Sequence, residues 1–143
     1  MKLSIRPKKS LGQNFLIDQN IIRKIIRTEN INKDSIILEI GAGNGSLTKK
    51  ILEAKPKMIF AVEKDKNLAQ ILKRDVKNFK NIKIINDDIF NIIKENRLGN
   101  NIIVFGNLPY NVSTKILADL ILLKSWPPWY KSLTLMFQKE VAD

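Results

Sequence analysis

The sequence of 143 residues predicts an α/β fold in which a mostly parallel sheet is covered by helices on both faces. Short β-branched apolar runs alternate along the chain with segments whose apolar residues recur at helical spacing. The runs are apolar throughout rather than at every second position, which is typical of strands buried on both faces. The length corresponds to one domain with a hydrophobic core of its own.

Five strands and four helices account for this alternation. Each strand is a short apolar run that ends at glycine or polar residues, and each helix places apolar residues on one face. The strands are predicted at 36–40, 58–62, 82–85, 102–105 and 133–137, and the helices at 18–29, 46–54, 65–76 and 113–123. Asp18 and Ser113 are the expected N-caps of the first and last helices. The polar connection 87–101 shows no clear pattern, and residues 124–132 are predicted to form a surface loop with aromatic anchors.

Composition restricts the chemistry that the chain can perform. It contains neither Cys nor His, which excludes disulfides, thiolate or imidazole metal ligands and the commonest general base near neutral pH. We therefore expect no metal site. Any reaction must use carboxylates, amides, hydroxyls, backbone groups or a cofactor.

The charge balance points to a polyanionic partner. A formal net charge of +11, from 25 basic and 14 acidic residues, favours nucleic acid. An alternative source of the charge is genomic drift, because the abundant Ile, Asn and Lys all have AT-rich codons. The apolar stretch 116–123 is too short to cross a membrane, and the basic start of the chain lacks the apolar run of a secretory signal. We expect a cytoplasmic protein; an organelle is the alternative, because basic leaders that contain Ser can be cryptic.

Residues that follow the predicted strands are candidates for a ligand site, because ligands of open α/β sheets bind beyond the carboxyl ends of the strands. After the first strand comes Gly41-Ala42-Gly43-Asn44-Gly45. Its glycines allow the backbone, and the N-terminus of the next helix, to approach a ligand closely. The spacing differs from the dinucleotide fingerprint G-x-G-x-x-G, since Ser46 stands at the last glycine position, which disfavours NAD and FAD. The phosphate-binding pattern G-x-x-x-x-G-K-[ST] does not occur either.

Acidic residues follow the second and third predicted strands. Glu63 stands about 20 residues beyond the glycine loop, where an acidic residue can accept hydrogen bonds from both hydroxyls of a ribose. Asp87 and Asp88 follow the third strand, where a carboxylate can accept from the exocyclic amine of an adenine ring while Ile89 packs on the ring. The alternatives are a solvated glutamate and an aspartate that caps a helix or forms a turn. Such residues after successive strands favour the ligand interpretation.

The segment Asn107-Leu108-Pro109-Tyr110, after the fourth predicted strand, is the most informative of these. An adenine amine is a poor nucleophile because its lone pair is delocalised into the ring. The Asn107 side-chain oxygen and the Leu108 carbonyl can accept hydrogen bonds from that amine and favour a pyramidal nitrogen, while Pro109 fixes the turn. Tyr110 offers a flat face on which an extruded base stacks. No strong base is needed, because the nitrogen becomes acidic once it is alkylated. The alternative is an ordinary turn that ends a strand.

Together these residues resemble a class I S-adenosylmethionine-dependent methyltransferase, a Rossmann-like fold, of the type that acts on amino groups of adenine. More narrowly, the chain resembles the ribosomal RNA small-subunit adenine dimethyltransferase family, the enzymes linked to kasugamycin sensitivity. The narrower resemblance extends over essentially the whole chain. It is carried by the segments 7–16, 104–111 and 138–142.

The resemblance implies a role for each matched residue. The segment that contains Asn14 and Leu16 would lie over the cofactor, Glu63 would contact the cofactor ribose, and Asp88 its adenine. Residues implied in binding S-adenosyl-L-methionine are Asn14, Leu16, Gly41, Gly43, Glu63, Asp88 and Asn107. Residues implied in catalysis are Asn107, Leu108, Pro109 and Tyr110, with Tyr110 stacked on the target adenine.

The implied reaction is two successive methyl transfers to N6 of adenines in a hairpin near the 3′ end of small-subunit ribosomal RNA. The partner would be this RNA within the pre-30S particle, during ribosome biogenesis. Positioning in line with the sulfonium methyl group, rather than acid–base chemistry, would provide catalysis. Phosphate contacts are implied for Lys2, Arg6, Lys8 and Lys9, for which a disordered basic tail is the alternative. We expect a monomer that needs neither metal nor membrane.

Compared with the family that it resembles, the chain is short. Complete members continue with further strands and a C-terminal helical domain that helps to dock RNA, whereas this chain stops at Asp143. We therefore expect a fragment: a basic N-terminal segment (1–17) and an incomplete catalytic domain (18–143), without the C-terminal helical domain. The fifth strand would then form an exposed edge. For such a fragment we expect weak cofactor binding to survive and ribosomal RNA methylation to be lost.

Three other classes of protein share parts of this pattern. Large-subunit ribosomal RNA adenine methyltransferases of the macrolide-resistance type share the fold and the chemistry, but the Leu11-Gly12-Gln13 context and the ending 138–142 favour the small-subunit family. DNA adenine methyltransferases commonly carry Asp or Asn followed by Pro-Pro-Tyr, whereas position 108 is Leu. A non-catalytic RNA-binding or assembly protein on the same scaffold, such as a relative of mitochondrial transcription factors, is disfavoured by the intact cofactor motifs and favoured by the truncation.

Overall fold

A computed structural model describes residues 18–95, 97–108 and 111–137 of the chain. Within these ranges five strands, all parallel, form one sheet with the order β3-β2-β1-β4-β5. The strands are β1 (Ile36–Ile40), β2 (Met58–Val62), β3 (Ile82–Ile85), β4 (Ile102–Asn107) and β5 (Tyr130–Met136). The helices are α1 (Gln19–Arg27), α2 (Ser46–Glu53), α3 (Lys66–Asp75), α4 (Ile89–Glu95) and α5 (Ser113–Ile121). The predicted α/β class and parallel sheet are confirmed.

Helices cover both faces of the sheet, as the continuously apolar strands predict. On one face α1, α2 and α3 pack over the strands, with Ile51 and Leu72 in a common core. On the other face α4 and α5 bury residues such as Ile116 in a second core. Val104 and Phe105, consecutive in β4, belong to opposite cores and both have 0% of their surface exposed. Most positions of a central strand therefore select for an apolar side chain.

The main errors of the sequence prediction lie in two connections. The unassigned segment 87–101 contains α4, in which Ile89 and Ile93, one turn apart, are buried. With seven residues, α4 is too short for the helical pattern to repeat. The predicted loop 124–132 is wrong at its C-terminal end, because β5 begins at Tyr130 and pairs with β4. Trp129 is buried, as expected of an aromatic anchor of this loop, with its ring edge-on to that of Tyr130 at 5.4 Å between centroids.

The helix starts agree with prediction at one end of the chain and not at the other. The Asp18 side chain accepts hydrogen bonds from the N–H groups of Asn20 (2.8 Å) and Ile21 (3.3 Å), which confirms it as the N-cap of α1. The prediction for Ser113 is wrong, since Val112 occupies the N-cap position of α5 and Ser113 is the first helical residue, with only 1% exposed. None of the described helices has the length and apolarity required to cross a membrane.

Candidate cofactor site

The carboxyl ends of β3, β2, β1 and β4 lie side by side, and we call this end of the sheet the carboxyl edge. From β3 to β4 it carries Asp88, Glu63, Gly41 and Asn107 in that order. For each of these residues, the sequence predicts only that it follows a strand. It does not predict which strands are neighbours. The strand order makes them neighbours, so the structure brings together the predicted cofactor residues that it describes, including Gly43.

The glycine loop between β1 and α2 contains three residues with positive φ. The φ angles are 71° at Gly41, 57° at Gly43 and 79° at Gly45, a region in which side chains with a Cβ atom are strained. A Cβ atom on Gly41 would lie 3.1 Å from the backbone oxygen of Asn107, so β1 and β4 approach each other closely here. A Cβ atom on Gly45 would lie 2.6 Å from Cδ1 of Leu72. Gly41 therefore allows β1 and β4 to approach closely at the carboxyl edge, whereas Gly45 allows α2 to pack on α3.

Glu63 links the end of β2 to the glycine loop. Its Oε2 accepts the N–H of Gly43 at 2.8 Å, and its Oε1 accepts the N–H of Asp65 at 2.8 Å. Burial raises the pKa of Glu63 above its usual value, although these two backbone N–H groups oppose the rise. A carboxylate offers about four lone-pair sites, so each oxygen keeps capacity to accept from a further donor. The geometry is compatible with the sequence prediction that Glu63 binds the hydroxyls of a ribose.

Asp88 lies beside Glu63 because Asn86 and Lys64 link the ends of β2 and β3. The Asn86 Nδ2 donates to the carbonyl oxygen of Glu63 at 2.9 Å. The Lys64 Nζ lies 2.9 Å from Oδ2 of Asp88, and Oδ1 of Asp88 accepts the N–H of Phe90 at 3.1 Å. Burial acts to raise the pKa of Asp88, but Lys64 and the Phe90 N–H outweigh it and hold the pKa below its usual value. Asp88 is thus an anion. It also accepts a hydrogen bond from a backbone N–H at the start of α4, as predicted by the alternative that Asp88 caps a helix.

The segment after β4 is positioned by burial of Leu108. The prediction of a strand over 102–105 is short by two residues, because β4 continues through Gly106 to Asn107, which lies opposite Met136 of β5. Leu108 is 6% exposed and packs in the core under α4 and α5, while its N–H donates to the carbonyl of Met136 at 3.4 Å. The leucine side chain therefore anchors the backbone of the segment. The remaining predicted site residues, Pro109, Tyr110, Asn14, Leu16, Lys2, Arg6, Lys8 and Lys9, lie outside the described residues.

Glu39 is a buried carboxyl group that the sequence pattern did not single out. It is 1% exposed, and it accepts a hydrogen bond from the hydroxyl of Thr48, which is completely buried in α2. Burial, opposed by the Thr48 hydrogen bond and reinforced by the charge of Glu63, raises the pKa of Glu39 to about 8. The pair joins β1 to α2 across the glycine loop. The signal available in the sequence was one acidic residue inside the apolar run of β1.

Several acidic side chains gather at the carboxyl edge. Within the described ranges, no group of three or more acidic side chains is placed to hold a metal ion. The four edge residues offer carboxylate and backbone acceptors in a row, which suits a ligand that carries hydroxyl and amino donors. The glycine loop adds three residues without side chains, just before the N-terminus of α2.

The sequence profile of the family described as ribosomal RNA adenine dimethylase matches residues 5–143. The chain belongs to this family. The ribosomal RNA small subunit methyltransferase A of Pelagibacter ubique is 51% identical over 140 residues, which cover 97% of this chain and 52% of that protein. The protein of the same name from Alkaliphilus oremlandii is 44% identical over 147 residues, which cover 99% of this chain and 50% of that protein. The chain therefore spans about half the length of the curated relatives that it matches.

Solved structures agree with the family and confirm the fold. The 23S rRNA methyltransferase ErmE matches with a TM-score of 0.77 and 26% identity, over 90% of this chain and 50% of that one. A dimethyladenosine transferase from Plasmodium falciparum matches with a TM-score of 0.73 and 30% identity, over 90% and 45%. The predicted Rossmann-like fold of class I S-adenosylmethionine-dependent methyltransferases is therefore correct, as is the predicted family.

Proposed function

We propose that the chain is the cofactor-binding part of an enzyme that uses S-adenosylmethionine to dimethylate N6 of adenines in small-subunit ribosomal RNA. One observation carries the proposal: Asp88, Glu63, Gly41 and Asn107 stand in a row at the carboxyl edge of a chain whose relatives are named ribosomal RNA small subunit methyltransferase A. Residues 18–143 are then part of a catalytic domain, and residues 1–17 are a basic segment that precedes it.

The carboxyl edge supplies the contacts that the cofactor needs. Glu63 accepts hydrogen bonds from the ribose hydroxyls with the lone pairs that Gly43 and Asp65 leave available. Asp88, held as an anion by Lys64, accepts from the adenine amine. Gly41 and Gly43 leave room for the methionine part, and the segment with Asn14 and Leu16 covers it. When bound, the cofactor supplies an electrophilic methyl group on its sulfonium sulfur.

The segment after β4 orients the target base. The Asn107 side-chain oxygen and the Leu108 carbonyl accept hydrogen bonds from the adenine amine, which aims the nitrogen lone pair at the methyl group. Pro109 fixes the turn, and Tyr110 stacks on the extruded base. The amine proton passes to solvent after alkylation, since the alkylated nitrogen is acidic. A chain without His can therefore perform this reaction.

The RNA partner accounts for the basic N-terminal segment. Lys2, Arg6, Lys8 and Lys9 make phosphate contacts that position the RNA without reading its sequence. The substrate is small-subunit ribosomal RNA in a pre-30S particle, and the protein acts as a monomer in the cytoplasm. Family membership and the net charge of +11 support this partner.

A chimera tests the reaction and its target. Residues 1–143 replace the matching half of the Pelagibacter ubique relative, so that the other half completes the protein. We expect primer extension on small subunits treated with the chimera and S-adenosylmethionine to stop near the 3′ end of the ribosomal RNA. In the chimera, Asn107→Ala should abolish the stop and leave RNA affinity nearly unchanged. Equal loss of methylation and RNA affinity would show that Asn107 is structural rather than catalytic.

A second candidate is methylation of large-subunit ribosomal RNA. The observation that favours it is the match to the 23S rRNA methyltransferase ErmE, with a TM-score of 0.77. Against it stands the 51% identity to a small subunit methyltransferase A, compared with 26% to ErmE. The same primer extension on large-subunit RNA separates the two, because a stop on that RNA alone would overturn the small-subunit proposal.

A further inference from the structure

The loops that precede β2 and β3 lie side by side at the amino edge of the sheet, opposite the carboxyl edge. Residues 54–57 precede β2, and residues 76–81 precede β3. Asn81 joins the two loops, because its Nδ2 donates to the Pro56 carbonyl at 2.9 Å and its own carbonyl accepts the N–H of Ile59 at 2.9 Å. The loops therefore form one surface, which we call the basic corner. It is defined by Lys55, Lys57, Lys77, Phe79 and Lys80.

Four lysines of the basic corner are available for a partner. Lys55, Lys57, Lys77 and Lys80 are all exposed, and neither loop contains an acidic residue. In the part of the chain that the structure describes, no ion pair uses any of them. Four cations on two adjoining loops, without anions between them, form the type of surface to which a polyanion binds.

Phe79 adds an aromatic group to this surface. It stands between Lys77 and Lys80 and is 50% exposed, although a phenylalanine is ordinarily buried. Its N–H donates to the carbonyl of Val76 at 2.9 Å, and Val76 itself is 4% exposed, so the turn that presents the ring is anchored in the core. An exposed ring among cations can stack on an unpaired base while the lysines contact phosphates.

The opposite ends of β2 and β3 carry opposite charges. The residues after these two strands include Glu63, Asp65, Asp87 and Asp88, with Lys64 as the one basic residue among them. The loops before the strands contain four lysines and no acidic residue. Codon drift toward lysine would not place lysines at one end of these strands and acidic residues at the other. The position of the lysines therefore indicates a function for the amino edge.

Helix dipoles alone do not explain the basic corner. All five amino-edge loops follow the C-terminus of a helix, where cations are favoured. The loop before β1 nevertheless carries Glu29 and Asp34 beside Lys33, and the loops before β4 and β5 contribute only Arg97 and Lys124 among their described residues. Among the described residues of these five loops, two lysines occur together only in the two loops that Asn81 joins.

We propose that the basic corner binds RNA, with its lysines on phosphates and Phe79 stacked on an unpaired base. The inference rests on the proposed function in taking RNA as the partner. From Met58 to Val62, β2 spans roughly 13 Å at about 3.3 Å per residue, so the basic corner and the carboxyl edge lie at opposite ends of the sheet. The RNA segment that is bound here is therefore distinct from the segment that presents the target adenine.

Anisotropy titrations of the 143-residue chain test the inference. The probe is a fluorescent RNA with the 3′-terminal hairpin of small-subunit ribosomal RNA and its single-stranded flanks, in KCl between about 50 and 200 mM. The test variant is Lys77→Glu/Lys80→Glu. The matched control is Lys124→Glu/Lys131→Glu, which reverses one exposed lysine in the loop before β5 and one in β5, and changes the net charge equally. Circular dichroism, expected to be unchanged in both, shows that the variants fold.

We expect the test variant to weaken RNA binding about tenfold or more and to reduce the slope of log Kd against log salt by about two, one for each lost phosphate contact. The control should weaken binding by less than about threefold. Phe79→Ser should weaken binding about fivefold without changing the slope, because stacking releases no counterions.

Several results would overturn the inference. Equal losses of RNA affinity in the test and control variants would mean that only the overall charge of the chain matters. No loss of affinity in the test variant, or no RNA binding by the wild-type chain, would show that the basic corner does not bind RNA. Self-association that the test variant abolishes while RNA binding persists would identify a second copy of the chain as the partner. A chimera that fails to methylate RNA would overturn the proposed function alone, because RNA binding at the basic corner is measured without methyl transfer.

Discussion

At the residue scale, two buried glutamates shape the carboxyl edge in different ways. Glu39 lies in β1 and Glu63 directly follows the neighbouring strand β2, and burial raises the pKa of both. Glu63 accepts two backbone N–H groups, which favour its ionised form, whereas Glu39 accepts one hydroxyl, that of Thr48. With a pKa of about 8, Glu39 is a neutral acid at pH 7.

The neutral state of Glu39 predicts how stability changes with pH. The carboxyl holds its proton more tightly in the folded chain than in the unfolded one, so the folded state loses stability as the pH rises from 4.5 to about 8. The loss is about 1.4 kcal/mol per pH unit. Glu39→Gln removes this titration. The free energy of unfolding of the variant should therefore increase relative to that of the wild type between about pH 5 and pH 8.

Urea unfolding of both proteins at several pH values measures this gain. The control is Glu95→Gln, which changes an exposed glutamate at the end of α4 and should show no comparable gain. A difference between Glu39→Gln and the wild type that stays constant with pH would contradict the assignment of a neutral Glu39.

Residue positions were predictable where a residue follows a strand. Gly41, Glu63 and Asp88 stand at the carboxyl edge, as their places in the sequence predict. Glu39 was not predictable as a paired acid, because its partner Thr48 lies on another element and the pair exists only after α2 packs on β1. Asp87 serves the turn into α4, since its Oδ1 accepts from Asn91 at 2.8 Å.

At the element scale, burial decides which segments the sequence pattern reveals. The apolar strands are recognised easily, because both of their faces are covered. The short α4 escapes recognition, because it buries only Ile89 and Ile93 among its seven residues. The start of β5 is obscured by the polar residues Lys131 and Ser132, which are tolerated because β5 is the outermost of the described strands next to β4.

The packing of α2 on α3 depends on Gly45. An alanine at this position has to adopt a φ of 79° and would place its Cβ atom 2.6 Å from Cδ1 of Leu72, which is 1% exposed and has little room to move. Gly99 is a matched control, with a φ of 101° and nothing within 4 Å of an added Cβ atom. Both substitutions pay for backbone strain of about 1–2 kcal/mol, but only Gly45→Ala adds a steric cost of about 1–3 kcal/mol.

Chemical denaturation of the two variants measures the difference. Gly45→Ala should lose more stability than Gly99→Ala, and adding Leu72→Ala to Gly45→Ala should cost less than Leu72→Ala costs in the wild type, since it removes the clash. Equal losses for the two glycine variants would show that Gly45 is needed for its backbone conformation alone.

At the scale of the whole molecule, the fold class follows from the sequence but the strand order does not. Alternating strands and helices require a covered parallel sheet, whichever strands are neighbours. The observed order β3-β2-β1-β4-β5 places Asp88, Glu63, Gly41 and Asn107 in one row, and periodicity contains no information about that order. The proposal that the row binds a cofactor and acts on ribosomal RNA rests on family membership rather than on the residue pattern.

Binding of S-adenosylmethionine at the carboxyl edge is the central claim, and calorimetric titration of the 143-residue chain tests it most directly. We expect one cofactor per chain. Glu63→Ala removes the carboxylate beside Gly43 and should weaken binding about tenfold or more, as the loss of charged hydrogen bonds does. The exposed control Glu95→Ala should bind like the wild type, with circular dichroism showing that every variant is folded. A folded wild-type chain that takes up no S-adenosylmethionine, or a Glu63→Ala variant that binds it as tightly as the wild type, would contradict the claim.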